Sequence, residues 1–308
     1  MSFMSYFKKM DLPARTSAPD PVFDLTSWLA QYDCGDLTLN VIDIGAATMG
    51  EGTDPYAVLT RQPSTRVTGF EPNQLACEAR NSNALPTHKF LPYFIGDGTR
   101  RTFHVCANPL TSSLYAPNAA LLDLFQRLDL PQISTEEVQT QQLDAVFDGD
   151  VDYLKIDVQG GELDVLKGAK TALSRAVLVH TEVEFVPMYC DQPLFGDIDV
   201  ELRHHGYLFH NFAGLFSRQM KPVEFNNDPF HAGSQIIYAE AAIYVRDMTR
   251  LAELPAYKLA RLMLILHTVY GAIDFAALVA RVLGEKLGKN IVTPYLDRVS
   301  GKTMPQLN

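Results

Sequence analysis

The sequence predicts an α/β fold, a doubly wound and mostly parallel sheet followed by a helical extension. Three observations carry this. First, Val41, Ile42 and Ile44 form a short apolar run that ends in Gly45-Ala46-Ala47, which reads as a strand buried on both faces that turns at a glycine. Second, similar apolar runs alternate with amphipathic stretches as far as Val245, the pattern of strands joined by crossover helices. Third, the pattern changes from about Thr249, where apolar residues recur at helical spacing.

In chain order, residues 1–37 form a leader with one short helix, for which Asp24 or Thr26 is the expected N-cap. The first strand covers residues 38–44, and a short helix is expected over 56–62 after the glycine turn. A strand over 66–70 ends at Glu71-Pro72-Asn73, and a helix follows over 74–81. The third strand, 89–95, ends at Gly96-Asp97-Gly98. Residues 101–106 alternate in polarity and predict an antiparallel addition, with a further edge segment at 135–143.

Residues 151–156 predict another buried strand, 160–173 an amphipathic helix, 176–183 a strand, 198–205 a helix and 207–212 a strand. An irregular connection over 213–232 then leads to a final strand over 235–245. Pro255 suits the first turn of a helix over 256–270, and Phe275, Leu278, Val279, Val282 and Leu283 mark a second helix closing at Gly284 or Gly288. The expected units are therefore a leader (1–37), a cofactor-binding domain (38–248) and a helical extension (249–308). The apolar stripe of the extension must cover its own sheet or meet a second copy in a homodimer.

The chain has 308 residues, 47% of them hydrophobic and 20% charged, with a net charge of −10. That acidity argues against broad contact with nucleic acid or anionic membrane. Four cysteines without CxxC spacing fit buried thiols in a reducing compartment. No secretory signal is visible, and the apolar stretch 259–283 carries Arg261, His267, Asp274 and Arg281, which excludes a membrane span. A cytoplasmic protein is expected.

In open α/β sheets, ligands bind beyond the carboxyl ends of the strands. Asp43 and Gly45, Glu71, Gly96 and Asp97, Asp157 and Gln159, and His180, Glu182 and Glu184 fall at those ends. Gly45, Ala47 and Gly50 also fit a dehydrogenase fingerprint. Glu71 suits the two hydroxyls of a ribose, and Asp97 an adenine amino group. Asp43 separates two cofactor classes, because an acid beside the glycine turn opposes a pyrophosphate but suits the cations of S-adenosylmethionine.

Three motifs add a resemblance: GFEPN at Gly69–Asn73, the Ser112-Ser113-Leu114 loop, and VDYLKIDVQGGELDVLKGA at Val151–Ala169. Together they resemble the FkbM family of S-adenosylmethionine-dependent methyltransferases over roughly residues 39–247. The resemblance implies a Rossmann-like class I methyltransferase sheet of seven strands, the last antiparallel, and O-methylation of a small-molecule or glycan acceptor. It also implies cofactor contacts from Asp43, Gly45 and Ala46 at the methionine end, and from Glu71, Pro72, Asn73, Gly96, Asp97 and Ser113. The chain departs from the family pattern at Gln159, where Glu is usual, at Gly161, where Ala is usual, and in the inserted Gly50-Glu51-Gly52.

Methyl transfer to a hydroxyl needs in-line alignment and a place for the proton. Asp157, which also borders the cofactor, is the first candidate base, with His180 and Glu182 beside it. Asp157, Glu182 and Glu184 are also candidate oxygen ligands for Mg2+. His204, His205 and His267 are read as surface or packing residues, and His210, Asn211 and His231 as possible substrate neighbours along the long loop. Two rival readings are an NAD(P)-dependent oxidoreductase and a catalytically silent scaffold acting through its C-terminal helices.

Overall fold

The structure, a computed structural model, describes residues 23–47, 54–62, 64–228 and 233–300. Most of the leader, the Gly50-Glu51-Gly52 insertion and His231 lie outside those residues. Among the described residues there are nine strands: β1 (Asn40–Ile44), β2 (Arg66–Phe70), β3 (His88–Leu91), β4 (Arg100–Cys106), β5 (Gln132–Gln139), β6 (Tyr153–Ile156), β7 (Leu178–Glu184), β8 (Tyr207–Arg218) and β9 (Gln235–Arg246). The helices are α1 (Leu25–Leu29), α2 (Gln74–Ser82), α3 (Ala119–Leu122), α4 (Leu143–Val146), α5 (Glu162–Lys167), α6 (Lys170–Arg175), α7 (Phe195–His204), α8 (Ala256–Thr268), α9 (Ile273–Leu287) and α10 (Val292–Val299).

Seven strands form one sheet in the order β3-β2-β1-β6-β7-β9-β8. The first five are parallel, and β9 runs antiparallel between β7 and β8. This is the expected sheet, with its last strand reversed. The ribbon β4-β5 stands apart as a second, antiparallel sheet.

Successive side chains on a strand point to opposite faces, and the core divides accordingly. Ile42, Leu154 and Val179 face Leu166, Leu173 and Leu202 of α5, α6 and α7. Val41, Tyr153, Leu178 and Ile243 face α1 and the C-terminal helices, with Leu259, Leu262, Leu266, Val279 and Leu283 in the same cluster. The C-terminal helices thus cover their own sheet. Lys258 Nζ donates at 2.7 Å to Asp150 Oδ1, Asp152 Oδ1 and the Val151 carbonyl, and Arg261 reaches Asp150 Oδ2 at 2.6 Å. No helix among the described residues is long and apolar enough to cross a membrane.

Several local expectations are corrected. The helix expected over 160–173 is two helices, α5 and α6, broken at Gly168-Ala169. A Cβ on Gly168 would lie 2.3 Å from the Gly96 carbonyl, so the chain passes the third-strand loop too closely for a helical side chain. No α-helix covers 56–62; Tyr56 and Asp54 are tied to Arg80 of α2 at 3.0 and 2.9 Å, and only a 3-10 turn forms at Leu59–Arg61.

β3 stops at Leu91, before Pro92, which has no N–H for a ladder. β8 runs on to Arg218 because the long β9 offers a partner throughout, so residues 213–218 of the expected irregular connection are strand instead. α10, with Tyr295 buried at its centre, was not anticipated.

Candidate functional site

The strand order reverses between β1 and β6, and that is where a doubly wound sheet opens a crevice. Gly45 ends β1 with φ +75°, and a Cβ there would fall 1.8 Å from the Asp157 carbonyl. Only glycine fits this turn. The backbone N–H groups of Gly45 and Ala46 both donate to the Phe70 carbonyl at 3.0 Å, which ties the turn to β2.

Beneath the turn, the Asp43 side chain is 1% exposed. Tyr56 Oη donates to its Oδ2 at 2.6 Å, Lys155 Nζ lies 3.1 Å from its Oδ1, and Arg80 lies 3.6 Å away. Burial pushes the Asp43 carboxyl up, and Lys155 opposes that shift. Burial pulls Lys155 down, but Asp43 and Asp157 more than offset it and hold the ammonium above its ordinary value. Lys155 also donates to the Gly45 carbonyl at 2.7 Å. The charge of Asp43 is therefore answered inside the chain by Lys155, Tyr56 and Arg80.

Glu71, at the end of β2, is buried, and its Oε1 accepts from the Asn73 N–H at 2.8 Å. Burial raises its pKa. Asn73, after Pro72, caps α2 through the Ala76 N–H at 3.0 Å. Asp97 closes a turn, accepting from the Thr99 N–H at 2.9 Å and Thr99 Oγ1 at 2.6 Å. The Gly96 N–H donates to the Gln141 carbonyl at 2.9 Å. Ser113 is a buried strut whose Oγ donates to the Gln159 carbonyl at 2.5 Å.

At the end of β6 the Asp157 side chain is 41% exposed, the most open acid of the group. Its Oδ1 accepts from Gln159 Nε2 at 2.9 Å, and its Oδ2 lies 3.8 Å from Lys155 Nζ. Gln159 Nε2 also donates to Glu182 Oε2 at 2.7 Å. The other end of that amide, Oε1, accepts from Tyr189 Oη at 3.3 Å. Gln159 itself has φ +59°, an uncommon conformation for a side-chain-bearing residue. Below it, Glu162 Oε1 accepts from the Val158 and Gly160 N–H groups at 2.9 and 3.3 Å. Burial raises Glu162 to about 7. It also raises Glu182, with Asp157 and Glu184 adding to the shift, and Glu184, with Glu162 and Asp157 adding.

The Mg2+ expectation is not supported. Among the described residues no group of three or more His, Cys, Asp or Glu side chains is placed to hold a metal. The Gln159 amide bonds to both Asp157 and Glu182 in the place where a bridging ion would sit. His180 shares the Glu182 face but lies a pleat deeper, its Nδ1 3.0 Å from Tyr270 Oη, which lies 2.8 Å from Tyr153 Oη. Burial, with Lys155 adding, drops His180 to about 3. This places His180 in the core, against Tyr270.

Sequence reasoning missed Lys155, Tyr189 and Glu162. For Lys155 the signal was present, since a lone lysine in the apolar strand YLKI has to meet a buried partner. Beside the site, Pro117 forms a backbone bridge to Tyr189 and borders a cavity of about 350 Å³, whose wall includes Leu122, Phe125, Leu130, Arg127 and Lys221.

A reversed seventh strand, a glycine turn at the switch point and a strand-end acid on β2 define a Rossmann-like methyltransferase. The chain belongs to the FkbM methyltransferase family, since the methyltransferase FkbM domain matches residues 43–209, more than half of its length. Among solved structures it is similar to methyltransferase FkbM from Methylobacillus flagellatus KT, at 15% identity and a TM-score of 0.37, over 68% of this chain and 44% of that one. It is also similar to the N-terminal domain of EvdMO1 with SAH bound, at 11% identity and 0.34, over 78% and 91%. A third is precorrin-6y C5,15-methyltransferase from Geobacter metallireducens GS-15, at 13% and 0.34, over 75% and 93%. The chain thus spans less than half of the first of these. No curated protein matches it.

Proposed function

We propose that this chain transfers a methyl group from S-adenosylmethionine to a hydroxyl of a sugar, glycolipid precursor or polyketide-like acceptor. The observation that carries the reading is Asp157, the one half-open carboxylate at the switch point, set directly against the Gly45 turn. The donor set fits the cofactor. Glu71 is an acid on the floor beside the turn, suited to a ribose diol, with Pro72 and Asn73 shaping that end and Gly96 and Asp97 the adenine end. Gly45 and Ala46 border the methionine end, while Asp43 and Ser113 brace the loops behind them.

S-adenosylmethionine supplies an electrophilic methyl group on a cationic sulfur. The chain's part is to align the acceptor oxygen in line with that bond and to take the hydroxyl proton. Asp157 takes the proton through its exposed carboxylate, while Lys155 and Gln159 hold the carboxylate in place. Glu182, behind Gln159, is kept neutral by burial and serves as a fixed hydrogen-bond partner. The cavity beside Pro117, lined by apolar side chains such as Leu122, Phe125 and Leu130 and by charged ones such as Asp123, Arg127 and Lys221, offers room for the rest of the acceptor. Four free thiols support a reducing, cytoplasmic setting.

Calorimetric titration with S-adenosylmethionine tests the cofactor half, with one equivalent bound as the expected result. No heat at millimolar cofactor rejects it. Transfer of radiolabelled methyl to a panel of hydroxylated sugars and polyketides tests the acceptor half, and cofactor binding with no turnover on any acceptor would favour the silent-scaffold reading.

A further inference from the structure

We propose that Gln159 is a positioning residue whose side-chain amide clamps Asp157 and Glu182 together, doing for this acid pair what a bridging divalent cation does elsewhere. The inference deepens the methyl-transfer reading, on which it rests only for the role of Asp157.

Three features carry it. The amide is held at its nitrogen, where Nε2 donates to Asp157 Oδ1 and Glu182 Oε2 at 2.9 and 2.7 Å, while Tyr189 Oη, whose single proton also faces the Thr111 carbonyl at 2.9 Å, lies 3.3 Å from Oε1. A primary amide has two N–H donors, so both are committed and its orientation is fixed. The backbone is held as well, because the Gln159 carbonyl accepts from Ser113 Oγ, and φ is +59°. Residues kept in this region persist when their surroundings over-determine them.

The second feature is charge. A positive group is already present beside the pair, since the buried Lys155 Nζ lies 3.8 Å from Asp157 Oδ2. Bridge and cation are thus supplied by two separate side chains. The third feature is what the clamp leaves free: the amide engages Asp157 through Oδ1 alone, and the side chain as a whole stays 41% exposed, open to an acceptor hydroxyl. A carboxylate at position 159 would instead bring three acids together without the two N–H donors of the amide, an arrangement that attracts a hard cation.

The experiment titrates Mn2+ into the full-length wild type, Gln159→Glu, and Gln159→Glu combined with Glu182→Gln. Free Mn2+ is read by electron paramagnetic resonance, and S-adenosylhomocysteine binding is measured on the same samples. The wild type is expected to show no Mn2+ binding that Asp157→Asn removes. Gln159→Glu should bind one equivalent at least ten-fold more tightly than the wild type, and the added Glu182→Gln should abolish the gain. Mn2+ binding by the wild type that Asp157→Asn removes overturns the proposal. So does a folded Gln159→Glu protein that gains none.

If Gln159→Glu does not fold, Gln159→Leu takes its place. It leaves the two acids unbridged and should gain Mn2+ binding that Asp157→Asn removes; a Leu variant no different from the wild type overturns the clamp. Failure of the wild type to bind S-adenosylhomocysteine would reject the methyl-transfer reading alone, because the Mn2+ arms stand without it.

Discussion

Glu71 and Lys155 show how differently two polar side chains at one site can act. Glu71 is an acceptor on the floor of the crevice, so Glu71→Ala should weaken S-adenosylhomocysteine by about ten-fold or more, the loss of a hydrogen bond to a charged group (about 1.5–3 kcal/mol). Calorimetry measures this, and an unchanged affinity would remove Glu71 from the ribose site. Lys155 is a buried partner to Asp43 and to the Gly45 carbonyl. Lys155→Met strands the buried Asp43 carboxylate, and urea unfolding should show a loss of roughly 3 kcal/mol or more. Glu162 gives a prediction with pH. Its folded pKa, raised to about 7 against 4.5, means that the native state holds the proton longer than the unfolded chain. Stability from this group is therefore present below about pH 4.5 and lost as pH rises toward and through 7. Urea unfolding at pH 5 and pH 8 should show a smaller fall for Glu162→Gln than for the wild type; parallel falls would exclude the burial effect.

At the scale of elements, the staple between α8 and the start of β6 decides how the C-terminal helices sit. Lys258 and Arg261 both reach Asp150 and Asp152, and Asp152 is wholly buried. Removing one partner leaves a buried charge, so Asp152→Ala should cost about 3–5 kcal/mol in chemical denaturation. Strand elements were the most legible in the sequence, because apolar runs bounded by glycine or proline have few other readings; β1 and β2 fall where expected. The helices were less so. The break at Gly168 depends on the loop at Gly96, far away in the chain, which no local periodicity can register. The missing helix over 56–62 likewise depends on side-chain bonds to α2.

For the whole molecule, the expected division into leader, cofactor domain and extension meets a core that crosses those boundaries. α1, the sheet and α8, α9 and α10 share one apolar cluster, so we propose that α1, the sheet and the C-terminal helices fold together. Deleting residues 249–308 should then expose the sheet face, with loss of near-UV circular dichroism and binding of a hydrophobic dye. A truncated protein that stayed native-like and merely changed its oligomeric state in light scattering would instead support the homodimer contact.

The sequence by itself determined the sheet, its switch point and the family, because strand runs, turn glycines and the Val151–Ala169 motif are local and contiguous. Only the tertiary structure decided which of the gathered acids face the crevice. Asp43 and Asp157 stand on adjacent strands, yet one is enclosed by Lys155, Tyr56 and Arg80 while the other is open. The physical reason is that a carboxylate's role depends on burial and on its nearest cation, and both are set by residues distant in the chain.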